Sequence, residues 1–219
     1  MQIIVADDHP VVLMGIKALF KSHGDTFQVT GEVNTGSDLL SLLSTQPCDL
    51  LITDFSMPDQ RGSSDGLPLL KRLQRHYPEL PVIVLTMVHN QTLIRGMLAC
   101  GVRGVVNKAE LTKELLLAVQ AVSNGRTYLS ERIRSDASIS SVQGNIEDAV
   151  SATGPDVLST REAEIVRLYA RGLTITQIAE QVHRSVKTVS QQKNDAMRKL
   201  GLISNSQLYE YAKAYGLLS

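Results

Sequence analysis

Short apolar runs alternate with amphipathic segments five times over the first 124 residues. The runs are Ile3–Ala6, Phe27–Val33, Leu50–Thr53, Val82–Thr86 and Gly104–Asn107. They are rich in Val, Ile and Leu without polar alternation, the pattern of parallel strands covered on both faces. Each is followed by a helical signal. Pro10 opens the first helix where its missing N–H costs nothing. Ser37 is a cap for the second after Gly36, and Thr112 for the last, which is lined by Leu115, Val119 and Val122 and ended by Gly125. Five strand–helix repeats predict a doubly wound α/β domain over residues 1–124, flavodoxin-like with strand order 2-1-3-4-5.

The periodicity then stops. Residues 125–156 are rich in Ser, Asp, Asn and Gly and predict a linker, with a short helix around Arg132. Residues 157–219 predict an all-α domain with helices near Thr160–Ala170, Thr174–Val182, Val186–Leu200 and Ser206–Tyr215. Gly172, the His183–Ser185 turn and Gly201 separate them.

The 22 basic and 22 acidic residues cancel, so no whole-chain field points to a polyanion. Their distribution does. The stretch Asp156 to Ser219 holds nine Lys/Arg against six Asp/Glu, and between Arg184 and Lys199 five basic residues face the single acid Asp195. Cys48 and Cys100 have no metal-ligand spacing and lie in apolar stretches, which suits buried thiols in a reducing compartment. The start, Met1 to Asp8, has no basic region and turns acidic at once, and no apolar run approaches the ~18 residues of a membrane span. The expectation is a cytoplasmic protein without a membrane partner.

Asp7 and Asp8 fall at the end of the first strand and Asp54 at the end of the third. In an open α/β sheet, ligands bind beyond the carboxyl ends of strands where the strand order reverses, so these acids converge. Clustered carboxylates call for a cation, and Mg2+ suits all-oxygen ligation while leaving room for a phosphoryl oxygen. Thr86 ends the fourth strand and Lys108 follows the fifth. A carboxylate nucleophile, a metal, a hydroxyl and a lysine are the parts that accept and hold a phosphoryl group. A lone Asp after a strand is more often a turn residue; the set of five at four strand ends favours the functional reading.

The segment Val186–Leu200 carries Val186, Val189, Ala196, Met197 and Leu200 on a core-facing side, and Ser190, Gln191, Lys193 and Asn194 largely on the other. This fits a recognition helix in a DNA major groove, where Lys and Ser suit phosphates and Asn and Gln read adenine edges. A small bundle with a solvated polar face is the alternative.

With these residues in view, a resemblance is plain. Asp7-Asp8-His9-Pro10, Thr53-Asp54 with Ser56-Met57-Pro58, Leu85-Thr86 and Lys108 resemble the receiver domain of two-component response regulators. Leu158-Ser159-Thr160-Arg161-Glu162, Gly172, Ile178-Ala179 and Ser185 to Val189 through Lys199-Leu200-Gly201 resemble the LuxR-type helix-turn-helix of the NarL/FixJ class. The resemblance implies that Asp54 is the phosphoacceptor and that Asp7, Asp8, Asp54 and the Ser56 carbonyl hold Mg2+. Lys108 would pair with the phosphoryl oxygens and Thr86 would move toward them. On DNA, Ser190, Gln191 and Asn194 would face bases while Lys187, Thr188 and Lys193 hold phosphates.

Implied partners are DNA, a sensor histidine kinase or phosphotransfer protein, and a second copy on phosphorylation. The helices after the first and fifth strands and the last helix are the implied dimer surfaces. Two departures, Val105 in place of the usual aromatic and the extension Asp59–Ser64, resemble the capsule-synthesis regulators of the Rcs phosphorelay, which implies a heterodimer with another regulator of this class as a further option. No enzyme activity is expected beyond phosphoryl transfer to the chain's own Asp54. Two other readings stand beside this one: a phosphate-indifferent regulator whose receiver only dimerises, and a hydrolase on the same sheet.

Overall fold

The structure is a computed structural model that describes residues 1–22, 26–57, 66–87, 90–135, 158–202, 204–215 and 217. The expected loop extension Asp59–Ser64, His89 and most of the expected linker lie outside the described residues.

The first unit runs β1 (Gln2–Ala6), α1 (Pro10–Lys21), β2 (Gln28–Val33), α2 (Gly36–Thr45), β3 (Leu50–Asp54), α3 (Gly66–His76), β4 (Val82–Thr86), α4 (Gln91–Ala99), β5 (Gly104–Asn107), a 3-10 turn (Lys108–Glu110), α5 (Leu111–Ser123), β6 (Tyr128–Leu129) and α6 (Glu131–Arg134). The sheet is parallel in order β2-β1-β3-β4-β5-β6, the expected topology with one strand added. Alternate residues serve its two faces. Ile3, Val5, Leu50, Ile52, Ile83, Leu85 and Val106 pack under α1 and α5 against Ile16, Phe20, Leu115 and Val119. Ile4, Ala6, Leu51, Val84 and Val105 pack on the opposite side with Leu39, Leu70 and Met97.

Several local expectations shift. β2 is an edge strand whose residues alternate between exposed and half-buried, because only β1 pairs with it. Thr35, in extended backbone, caps α2 by accepting from the Asp38 N–H at 3.1 Å, so Ser37 lies inside the helix. Asn107 accepts from the Ala109 N–H at 2.9 Å and starts the 3-10 turn, so α5 begins at Leu111 without Thr112 as its cap.

β6 and α6 fall within the stretch expected as linker. Two residues are too few to register as an apolar run, yet they find the open edge of β5, pairing Gly104 with Tyr128 and Val105 with Leu129. Tyr128 donates its hydroxyl to Glu114, and the Ser130 N–H reaches the Val105 carbonyl at 3.0 Å. Leu129 and Ile133 seal Val105, which is fully buried.

The second unit comprises α7 (Thr160–Ala170), α8 (Ile175–Gln181), α9 (Val186–Lys199) and α10 (Asn205–Ala214). Ile165, Leu168, Ile178, Ala179 and Val189 form its small core. The first turn of each helix carries its own stop against fraying. Ser159 with Glu162 and Thr174 with Gln177 make reciprocal capping boxes, and Ser185 and Ser204 accept from the third helical N–H. Gly172 with φ 91 supplies the left-handed residue that ends α7. Val186, expected in the core, is 48 % exposed because it is the first residue of α9 and projects beyond the body of the domain.

Glu162 ties this unit together. Its Oε2 accepts from the Ser159 N–H at 2.8 Å, from the Ser159 hydroxyl at 2.9 Å and from the Lys199 ammonium at 2.8 Å, joining the start of α7 to the end of α9. Burial would raise its pKa, but Lys199 and Ser159 outweigh burial and hold it below the ordinary glutamate range. The ionised form is therefore favoured on folding. Its stabilisation is complete above the unfolded pKa of ~4.3 and is lost as pH falls through the lowered folded value. Glu162→Ala is expected to cost the helical unit about 1–2 kcal/mol at pH 7. Thermal unfolding of both proteins checks this, and the gap should narrow on acidification below pH ~4.

Candidate functional site

Strand register builds the acidic site. Ala6 lies beside Thr53, Asp54 beside Leu85, and Thr86 beside Asn107. Asp7 and Asp8 after β1, Asp54 at the end of β3, Thr86 at the end of β4 and Lys108 after β5 therefore reach one edge of the sheet. Asp7, Asp54 and Thr86 are buried.

The Lys108 ammonium sits 2.8 Å from Asp7 Oδ2 and 2.9 Å from Asp54 Oδ2. Burial alone would lower the lysine's pKa; hydrogen bonds and charge from the two acids outweigh it and raise it. One ammonium shared between two carboxylates does not fully compensate Asp54. Burial pushes the Asp54 carboxyl up to about 6 against the pull of Lys108, and the neighbouring Asp7 charge adds to the rise. The Ser56 N–H, hydrogen-bonded to Asp54, works in the other direction.

Asp7, Asp8, His9 and Asp54 bring one potential ligand atom each within 4.8 Å of one another. Three carboxylates on one side, with only one ammonium among them, fit a hard divalent cation that prefers oxygen donors. His9 is the N-cap residue of α1 by position, but its side chain caps nothing. The ring is 64 % exposed and lies 2.7 Å from Asp8 Oδ1 and 3.1 Å from Asp7 Oδ1. No feature of the sequence distinguished this pairing from a packed helix-start histidine.

The helical unit closes this edge. A cavity of about 360 Å³ is lined by Asp8, Asp54, Ser56, Thr86 and Lys108 from the sheet and by Glu210, Lys213 and Ala214 from α10. Lys213 Nζ donates to Ser56 Oγ at 2.9 Å, and Thr92 Oγ1 of α4 donates to the Leu200 carbonyl at 2.7 Å. Two glycines allow the approach. A Cβ on Gly66, which has φ +61, would stand 3.1 Å from Ala214 Cα, and one on Gly96 would stand 2.9 Å from the Tyr215 hydroxyl. Leu67, Leu93 and Met97 accordingly share one apolar cluster with Leu208, Tyr211 and Ala214. The sequence reading missed Glu210 and Lys213, and no motif could have found them, because only docking of α10 brings them to the acids.

On α9 the polar side divides. Lys187, Thr188, Gln191 and Asn194 are exposed, and Ser190 is half-buried. Gln191 Nε2 donates to Asp195 Oδ1 at 3.2 Å, and Asp195 also pairs with Arg198. Lys193 is not on this face. Its ammonium lies 2.7 Å from Asn205 Oδ1 and 4.5 Å from the Tyr169 ring centre, held against the domain body. Lys187, Gln191 and Asn194 recur at helical spacing and form an exposed stripe along α9. Among the described residues no helix is long and apolar enough to cross a membrane.

Residues 3–120 match the family described as response regulator receiver domain, and residues 156–212 match bacterial regulatory proteins of the luxR family. The transcriptional regulatory protein RcsB of Salmonella typhi is 36 % identical over 219 residues, covering 99 % of this chain and 96 % of that protein. The oxygen regulatory protein NreC of Staphylococcus aureus is 33 % identical, covering 100 % and 99 %. Among solved structures, RcsB from Salmonella enterica serovar Typhimurium bound to a promoter in the presence of the phosphomimetic BeF3− superposes with a TM-score of 0.80 at 35 % identity over 98 % of each chain. An RcsB–DNA complex gives 0.75 at 33 % identity, again over 98 % of each chain. The sheet with its acid–lysine edge, the capped helices behind it and full-length similarity to these regulators agree: this chain belongs to the response regulators that join a receiver domain to a LuxR-type DNA-binding domain.

Proposed function

We propose that the chain is a transcription regulator switched at Asp54. The single observation that carries the reading is the Asp7–Lys108–Asp54 contact, which aims a buried carboxylate and a cation into the same cavity. A phosphohistidine on a sensor kinase or phosphotransfer protein would donate. The Asp54 oxygen attacks phosphorus, an O–P bond forms, the P–N bond breaks, and the imidazole leaves with the electron pair and takes up a proton. Lys108 is placed to meet the phosphoryl oxygens, and Thr86 offers a hydroxyl on the same rim. Asp7, Asp8, Asp54 and the Ser56 carbonyl would hold Mg2+. When bound, that ion supplies charge neutralisation between the acids and the transferring group.

We assign residues 1–124 to the receiver and 157–219 to the DNA-binding domain, with the connection between them at 125–156. Lys187 and Thr188 are proposed to hold phosphates, and Ser190, Gln191 and Asn194 to face bases. Lys193 would reach a phosphate only by leaving Asn205. A homodimer on a two-fold site raises affinity and specificity over one recognition helix. Exposed Val11 and Met14 on α1 and Leu117 on α5 support pairing through those helices. One of the RcsB structures holds two dimers on two DNAs, which supports pairing on DNA here. The same surface would admit a second regulator of this class, and a cytoplasmic location follows from DNA as the partner.

The burial of Val105 beneath β6 favours one point of the rival, phosphate-indifferent reading, since no aromatic can swing there. Coupling is instead assigned to α4 and the helical unit packed on it.

With acetyl phosphate and Mg2+ the wild type is expected to gain about 80 Da and to bind its DNA more tightly, while Asp54→Asn does neither. Equal DNA binding by both proteins under these conditions would sink the switch. In the metal-free protein a carboxyl carbon-13 titration should place Asp54 near 6, and Lys108→Ala should move it higher by removing the one compensating charge. Because the folded value lies above the unfolded one, the metal-free protein gains stability as pH falls through about 6. On DNA, Lys187→Ala should lower the log–log salt slope by ~0.9 for all sequences. Asn194→Ala should instead cost ~1–3 kcal/mol at the cognate site alone; footprint titrations at several salt concentrations separate the two.

A further inference from the structure

The acidic cavity has a wall that the receiver does not supply. Lys108, the cation of the receiver rim, is already committed to Asp7 and Asp54 at 2.8 and 2.9 Å. An anionic phosphodonor entering the cavity meets the carboxylates of Asp8, Asp54 and Glu210 around that one committed ammonium. Across the mouth stands α10, whose Lys213 lies against Ser56, two residues beyond Asp54, and lines the same cavity. The lysine is held there by the docking of α10 on α3 and α4, with Ala214 against Gly66 and the Tyr215 hydroxyl against Gly96. The volume, about 360 Å³, takes an acyl phosphate without displacing the helix.

Resting on Asp54 as the acceptor, we infer that Lys213 is a second anion-binding residue of the phosphorylation site, lent by the DNA-binding domain. It binds phosphoryl oxygens of a small donor at the mouth while Lys108 remains with the acids inside. Transfer itself breaks the donor's acyl O–P bond, forms the Asp54 O–P bond and releases the carboxylate with the electron pair. Lys213 moves no proton in that step. Its action is electrostatic, so it falls with ionic strength. The geometry also makes the DNA-binding domain sensitive to the state of Asp54 through one side chain, without a relay through Val105.

The experiment uses the full chain with saturating Mg2+ and acetyl phosphate as the donor, following phosphorylated fraction by intact mass against donor concentration. Lys213→Ala is expected to raise the half-saturating donor concentration about fivefold at low salt, the size of one partly exposed charge contact. It should leave the maximal rate nearly unchanged, Lys213→Arg should restore the wild-type value, and the difference should shrink in 0.5 M salt. Gly96→Leu, which crowds the Tyr215 hydroxyl and the Leu67 side chain and so pushes α10 off α4 without substituting a residue of the rim, should give the same rise as Lys213→Ala.

Unchanged half-saturation in Lys213→Ala overturns the proposal. Faster phosphorylation in either variant also overturns it, since α10 would then be a lid that excludes the donor. Absence of phosphorylation in the wild type is a different result, and it removes Asp54 as the acceptor.

Discussion

Asp7 and Asp54 are buried at the carboxyl edge of a parallel sheet, and one ammonium, that of Lys108, lies within 3 Å of both. Two carboxylates in a low-dielectric setting cannot both stay ionised without a cation, and a single lysine answers only part of that demand. The deficit appears directly in the Asp54 carboxyl, which burial lifts to about 6 although a lysine touches it. This unfinished neutralisation gives the site its chemistry. In the function proposed above, the acids would take a divalent cation and Lys108 would exchange a carboxylate for a phosphoryl oxygen.

The fold exists around that triad in a concrete sense. β1, β3 and β5 must be in register for Asp7, Asp54 and Lys108 to meet, and their neighbours in sequence, Val5, Ile52 and Val106, are the residues that pack beneath α1 and α5. Alternate residues of these fully buried strands pack into two different helix layers, so their fit sets the register, and the register sets the ion pairs. β6 extends the same logic by sealing Val105, while α4 on the other side of β5 carries the helical unit packed upon it.

What is packed upon it is the DNA-binding unit. α10 lies on α3 and α4, its Lys213 reaches the mouth of the acidic cavity, and the exposed stripe of α9 stays open to solvent. The two chemical ends of the protein are thus joined by contact as well as by chain. The joint combines a shared apolar cluster with two hydrogen bonds, Lys213 to Ser56 and Thr92 to the Leu200 carbonyl.

Much of this architecture was legible in the sequence because it rests on short-range patterns. Uninterrupted Val, Ile and Leu runs identify buried parallel strands, and the acids and lysine immediately after them must land on one edge whatever the details of packing. Pro10 at the first position of α1 likewise acts within one turn of helix. Other features depend on residues distant in sequence. The capping of α2 by Thr35, the two-residue β6, the inward turn of Lys193 toward Tyr169 and Asn205, and the pairing of His9 with Asp7 and Asp8 each depend on a partner that no local pattern names. The same holds most strongly for Lys213, 157 residues from Ser56. By itself the sequence determined the five long strands, the main helices and the acid–lysine set, because periodicity and strand-end position are local constraints. Only the tertiary structure decided which second domain surface meets that set, because docking depends on the shape of two finished faces.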